Sequence, residues 1–347
     1  MKNATDKNIL FVVSQIGTGG AERVISTLAS YCAENGYSVH LITFRDTKNS
    51  YPISSKIIQK RIEGNPVVRA GKIRKYIKNN NIDTYVTFEL NYGVVCSFGT
   101  GVKYITSMRN DPRNDVVSLR ERIFRYFNFL FAHHVIFQTN EIMEYFSKAI
   151  QKHGNVIMNP LRDGIVEYHG SRKDEIVAVC RLEPQKNISM MIDVFEKIHD
   201  MYPDFKLRLF GDGSLRSEIE KSLKEKSLQD SFVLEGFQKA VDEKIQKATA
   251  YVCTSDYEGL SNSLLEAMAI GLPCVTTDSG GGGARAVIKD GENGYLVPIG
   301  DVDAMVNRIQ GLIEDKNLVN KLSENASKIR EKLSRDIICK EWESLFK

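Results

Sequence analysis

Cysteine is scarce and scattered in this 347-residue chain. The six residues Cys32, Cys96, Cys180, Cys253, Cys274 and Cys339 form no C-x-x-C pair, and no histidine lies near them at ligand spacing. That argues against a disulfide framework or a zinc site and for a reducing compartment. Long apolar runs are missing as well, since no stretch approaches the ~20 residues of a membrane-spanning helix. The opening segment MKNATDKNILFVVSQ has one short apolar run that ends in polar residues. It reads as a first strand, without the length or flanks of a signal peptide. Low-complexity tracts and short repeats are absent too. The expected location is cytoplasmic, extended at most to peripheral contact with the inner face of the cell membrane.

What is present is the composition of a globular protein, with 42% hydrophobic and 26% charged residues. The length exceeds one comfortable core, so two domains are the default. The net charge of +3 hides an asymmetry. Up to Pro160 there are 21 Lys and Arg against 12 Asp and Glu, a net of +9, and the remainder carries −6. A basic half suggests that it meets something anionic: a lipid headgroup, a phosphate-bearing substrate or nucleic acid. The acidic second half and the lack of a recognised binding module disfavour nucleic acid.

Short apolar runs alternate with helical patterns along almost the whole chain. The first half offers strands at ILFVV, YSVHLITF, DTYVTF, VKYITSM, HVIFQT and NVIMN. Between the first two lies AERVISTLASYCAENG, with apolar positions at helical spacing and Gly36 as its stop. A polar stretch after Pro160, LRDGIVEYHGSRKD, reads as a linker. The pattern restarts with EIVAVCRL, FKLRLFG, SFVLEGF, AYVCTS, LPCVTT and GYLVP. Such alternation predicts an α/β fold of two doubly wound Rossmann-like domains, residues 1–160 and 161–333. They should face each other across a cleft, with ligands at the carboxyl ends of the strands.

The strand ends of the second half carry the chemistry. VAVCRLEPQKN sets Arg181 and Lys186 around a strand-to-helix turn, with Asn187 suited to cap the next helix. Two cations at a helix N-terminus make an anion site, although a solvated loop is the simpler account of each alone. LFGDGSLRSEIEK places Gly211 and Gly213 in a turn where backbone can approach a ligand, or in a plain tight turn. LEGF ends a third strand before Phe237. TSDYEGLSNSLLEAM ends a fourth, where the amides of Gly259, Leu260 and Ser261 lead into a helix. There Ser263 and Glu266 also spell a capping box, a structural reading that competes with any binding role for Glu266.

The order R-L-x-x-x-K-N (Arg181–Asn187), G-D-G, E-G-F and E-G-L-S-N-S-L-L-E (Glu258–Glu266) resembles the retaining glycosyltransferases of family 4. GGAERV (Gly19–Val24) and DGENGYLVP (Asp290–Pro298) extend the likeness over almost the whole chain. The resemblance implies the GT-B fold: an N-terminal acceptor-binding domain, a C-terminal donor-binding domain, and a last segment, 334–347, that packs back on the first through Trp342 and Phe346. It implies a nucleotide-sugar donor as co-substrate, a UDP-sugar above all, with no obligatory cofactor. Glu266 would accept hydrogen bonds from the ribose hydroxyls. Glu258 would face the donor sugar. Arg181, Lys186 and the amides of Gly259–Ser261 would neutralise the diphosphate, Gly211 and Gly213 would line the donor, and Phe237 would lie against the base. Gly19 and Gly20 would approach from the first domain. The glycines at 280–283 would pack close beside the donor or form a flexible loop.

The chain departs from the family's pattern where many relatives carry a histidine; Met108, Arg109, Asn110 and Asp111 stand there instead. Arg109 and Asn110 become acceptor candidates, and His133-His134 reads as structural. Asp301-Val302-Asp303 matches a metal motif of another glycosyltransferase architecture but precedes a helical pattern and reads as a cap, so no metal site is expected. The implied activity is retaining transfer of a hexose or N-acetylhexosamine to a saccharide, lipid-linked through a polyprenyl diphosphate, in glycan or polysaccharide biosynthesis. AGKIRKYIKNNN and LRERIFRYFNFLF mix cations with apolar residues at helical spacing. They read as a surface for anionic lipid or as ordinary packed helices with solvated faces. A nucleotide-sugar epimerase of related fold is one alternative. An NAD-dependent oxidoreductase is another, weakened by Glu22 at the third glycine position of G-x-G-x-x-G.

Overall fold

The computed structural model describes residues 7–17, 19–47, 51–88, 93–114, 118–238 and 241–346. The chain divides into two compact units, Met1–Arg162 with Leu333–Lys347, and Asp163–Lys332.

In unit 1 the strands are β1 (Asn8–Val12), β2 (Ser38–Thr43), β3 (Ile58–Arg61), β4 (Thr84–Phe88), β5 (Lys103–Ser107), β6 (His134–Phe137) and β7 (Gly154–Val156). Among the described residues they form a seven-stranded sheet in the order β3-β2-β1-β4-β5-β6-β7, with every neighbouring pair parallel. Parallel strands are covered on both faces, which is why β1 is almost continuously apolar and β4 is buried throughout. Strand order reverses at β1, which pairs β2 on one side and β4 on the other. The crossovers carry α1 (Gly20–Glu34), α2 (Pro66–Asn79), α3 (Gly93–Ser97), α4 (Leu119–Leu130), α5 (Asn140–Glu144) and α6 (Lys148–Gln151). Gly36, at φ 92°, ends α1 as its sequence predicts, and Tyr37 N donates back to Cys32 O at 3.1 Å. β3 is a strand that hydrophobicity misses. Its sequence IQKR is exposed throughout, as a charged edge strand should be.

Unit 2 repeats the plan with β8 (Lys173–Val179), β9 (Lys206–Phe210), β10 (Phe232–Gly236), β11 (Ala248–Cys253), β12 (Cys274–Thr277) and β13 (Tyr295–Val297). Among the described residues its sheet has six parallel strands in the order β10-β9-β8-β11-β12-β13. Its helices are α7 (Ile188–Met201), α8 (Arg216–Glu225), α9 (Val241–Ile245), α10 (Asn262–Ile270), α11 (Val302–Glu314), α12 (Lys316–Ser327) and α13 (Ile329–Leu333). One core runs from Ile176 and Phe195 through Val252 to Met305 and Leu322. The polar stretch expected to be a linker is pinned down from its middle onward. Arg172 donates to Gln246 O and Gly271 O at 2.6 Å each, Tyr168 N to Ile270 O at 2.9 Å, and Glu167 pairs with Arg330.

The chain then returns to unit 1 as α14 (Arg335–Ser344). Trp342, 1% exposed, stacks on Phe88 at 5.6 Å, and Glu343 accepts from Tyr37 Oη at 2.8 Å. Among the described residues no helix is long and apolar enough to cross a membrane. Both units therefore present a strand-order reversal, the place where open α/β sheets bind ligands beyond the strands' carboxyl ends.

Candidate functional site

In unit 2 the reversal falls between β8 and β11, because β8 pairs with β9 and β11. The segments that leave these two strands are Cys180–Asn187 and Thr254–Ser261. Pro184–Lys186 makes one 3-10 turn, and Asn187 stands in the left-handed region at φ 45°, ψ 56°. Asparagine tolerates that conformation better than most residues. Its side chain accepts from Met190 N at 3.2 Å, capping α7, and donates to Asp256 at 2.7 Å.

That last bond belongs to a network between the two strand ends. Lys186 forms an ion pair with Glu258, their side chains 11% and 15% exposed. Gln185 Nε2 donates to Tyr257 O at 2.7 Å and to Glu258 Oε2 at 3.4 Å; Ser255 Oγ donates to Glu258 Oε1 at 3.3 Å. Thr254 Oγ1 donates to Lys186 O at 2.8 Å and Asn187 O at 3.0 Å. Burial works against the Lys186 ammonium, but the negative groups around it, led by the Glu258 carboxylate, together hold the lysine above its ordinary range. Nearby Cys180 is the opposite case. Burial pushes its thiol up to about 12, so it is no thiolate nucleophile at neutral pH.

Glycines let the neighbouring turns close on this pair. A Cβ on Gly211 would run into Cys180 O, and one on Gly213 into Leu182 O, so both glycines are required by close approach to the Arg181 turn. Gly211 N also donates to Gly236 O at 2.9 Å, which draws the end of β10 into the same cluster. A Cβ on Gly283 would collide with Gly259 O, and Glu258 N donates to Gly280 O at 3.0 Å. The glycine tetrad, which sequence leaves between close packing and a flexible loop, is thus a packed support beneath the Glu258–Leu260 turn.

The competing capping-box reading of Glu266 is overturned. α10 starts at Asn262 with Ser261 as its N-cap, accepting from Leu264 N, so Ser263 lies inside the helix and Glu266 is not its third residue. Glu266 is half-buried on α10. The Arg181 side chain is exposed and makes no ion pair among the described residues. Phe237, 44% exposed, follows β10.

The remaining candidates belong to unit 1. Gly19 is the N-cap of α1 and Gly20 its first residue, both outside the left-handed region; Thr18 between β1 and this helix lies outside the described residues. Arg109 follows β5 and is buried, its guanidinium 4.3 Å from the Phe88 ring and 5.9 Å from Trp342, donating to Asn159 at 3.1 Å. Asn110 is half-buried beside it. His133 accepts from Tyr104 N at 3.0 Å and His134 meets Asn155 at 3.2 Å, both at the amino end of β6, away from the carboxyl ends. Asp301 caps α11 by accepting from Ala304 N at 2.9 Å, and Asp303 pairs with Lys197. Among the described residues no cluster of His, Cys, Asp or Glu is arranged as a metal site. Gln185, Ser255 and Asp256 are site residues that motif spacing does not reveal, because their partners lie across two separate strand ends.

This arrangement of two parallel α/β units has the fold of the GT-B glycosyltransferases. A solved structure of Anabaena Alr3699/HepE in complex with UDP-glucose superimposes with a TM-score of 0.83 over 96% of this chain and 97% of that one, at 18% identity. Residues 166–329, nearly all of unit 2, match the family described as glycosyl transferases group 1. That match supports, over unit 2, the glycosyltransferase resemblance read from the motifs. A poly(glycerol-phosphate) alpha-glucosyltransferase of Bacillus subtilis is 33% identical over 172 residues, half of this chain, which spans 25% of that relative's length. A Campylobacter jejuni N-acetylgalactosamine-N,N'-diacetylbacillosaminyl-diphospho-undecaprenol 4-alpha-N-acetylgalactosaminyltransferase is 27% identical over 93% of this chain and 94% of its own.

Proposed function

We propose that the protein is a retaining glycosyltransferase that moves a hexose or N-acetylhexosamine from a UDP-sugar to a saccharide acceptor, lipid-linked through a diphosphate, in glycan or polysaccharide synthesis. The observation that carries this reading is the Lys186–Glu258 pair at the strand-order reversal of unit 2. Around it stand exposed Arg181 and the backbone of Gly259–Ser261 leading into α10. A cation held charged, a second cation free to turn, and amides at a helix start form a receptor for a diphosphate.

In the reaction the bond between the sugar C1 and the β-phosphate oxygen breaks while the acceptor hydroxyl oxygen bonds C1 from the same face. The hydroxyl proton passes to the departing phosphate oxygen. Lys186 and Arg181 stabilise the negative charge that grows on the leaving diphosphate, which preorganised cations do without a metal ion. Glu258 turns its carboxylate toward the donor sugar and offsets positive charge at C1. Glu266 accepts from the ribose hydroxyls. Unit 1 carries the acceptor, with Arg109 and Asn110 as its contacts.

The test is a panel of nucleotide sugars assayed for nucleotide release, with and without lipid-linked saccharide, in the native chain and in Lys186→Ala and Glu266→Ala. Release that depends on acceptor and collapses in both variants supports the reading. Release without any acceptor supports an epimerase, and full activity in either variant removes the role given to that residue.

A further inference from the structure

Helix α4 carries a large apolar stripe on its outer face. Its inward positions include polar residues: Asn128, 1% exposed, accepts from Val94 N and Tyr104 Oη at 2.9 Å each, and Arg125 is buried on the same face. Its outward stripe is apolar. Leu119, Ile123, Phe127 and Phe131 follow one another at four-residue spacing and are all exposed, Leu119 at 73% and Phe131 at 60%, with Phe124 beside them. Phe127 and Phe131 stack in solvent, 6.3 Å apart and nearly coplanar. Phe129 packs inward against Phe137 and Phe146, so the outer stripe is a second apolar face on the side that is ordinarily polar. A contiguous exposed apolar face on a folded unit marks an interaction surface.

The charges choose the partner. Arg120 and Arg122 flank the stripe, while the nearby acid, Glu121, is engaged with Ser118 in the capping box that starts the helix. α2 carries Arg69, Lys72, Arg74, Lys75 and Lys78 and no acidic residue. Arg74 donates to Phe98 O at the end of α3, and Phe98 is itself 76% exposed, so the cationic helix adjoins a further apolar outpost. Aromatic and aliphatic side chains bordered by cations fit the boundary between acyl chains and anionic headgroups. A symmetric contact with a second copy would oppose the same arginines across a twofold axis.

We propose that the α4 face, supported by the cations of α2, docks unit 1 on a membrane surface that contains anionic lipid. The docking is independent of the sugar-transfer reading, because it requires nothing of unit 2.

The experiment is co-sedimentation of the full chain with vesicles of phosphatidylcholine alone or with about 30 mol% phosphatidylglycerol, in low and high salt. The native chain should pellet with the anionic vesicles, weakly with the neutral ones, and less as salt rises. The double substitution Phe127→Ser and Phe131→Ser should lower the bound fraction about tenfold, and Arg120→Gln with Arg122→Gln should remove most of the salt dependence. Leu119→Ser, in the first turn and largely exposed, provides a second apolar variant if the double one does not fold. Three results overturn the proposal. They are no binding of the native chain to anionic vesicles, native-level binding by folded serine variants, and a dimer in solution that the serine variants disperse.

Discussion

The two sheets follow one strand plan and differ in the chemistry at their carboxyl ends. Beyond β8 and β11 the turns of unit 2 are bolted together by Lys186–Glu258, Asn187–Asp256 and the Thr254 hydroxyl, with glycines allowing backbone to meet backbone. Beyond β5 in unit 1, Arg109 is held over the Phe88 ring, near Trp342, and donates to Asn159. Polar chemistry is concentrated at the strand ends in unit 2, whereas unit 1 places its distinctive feature on the outer face of α4. A site that stabilises charge in a transition state gains from rigidity, since its dipoles need no reorganisation. A surface that meets a fluid partner has no such requirement.

Substitutions can break or sharpen this contrast. Trp342→Ala should cause the largest loss, about 3–5 kcal/mol of stability, because it empties a fully buried site under Phe88 and Arg109. Chemical denaturation monitored by circular dichroism measures it. Lys186→Ala should lower sugar transfer by about a hundredfold or more, the scale of removing one preorganised charge. Steady-state nucleotide release reads that loss. In the native chain Lys186 has a raised pKa, so its charge persists through neutral pH and is lost only above the ordinary lysine range. A turnover profile should therefore show no loss from this group between pH 7 and roughly 10. Asp301→Ala should cost about 1 kcal/mol as a lost cap, with turnover unchanged in EDTA. Gly71→Ala in α2 should move the other way. A Cβ there meets nothing within 4 Å, so thermal unfolding should shift upward by the equivalent of about 1 kcal/mol.

Much of this was legible in the sequence because strand, turn and helix are local. The twelve apolar runs became strands, and the four turns rich in glycine or charge lie at the carboxyl ends of β8, β9, β10 and β11. β3 was hidden because an exposed edge strand has no apolar signature. The start of α10 stayed open because two serines compete for the cap, and in the fold Ser261 takes it. Gln185 was invisible because Glu258, its partner, is 73 residues away in sequence. The sequence of α4 displayed cations and aromatics at helical spacing, but spacing does not say which face turns inward. The buried hydrogen bonds of Asn128 decide that.

The most direct test of the central claim is a crystal structure with bound UDP. The diphosphate should lie between Arg181, Lys186 and the amides of Gly259–Ser261, with Glu266 on the ribose hydroxyls. A nucleotide bound elsewhere, with the Lys186–Glu258 pair undisturbed and its surroundings empty, would contradict it.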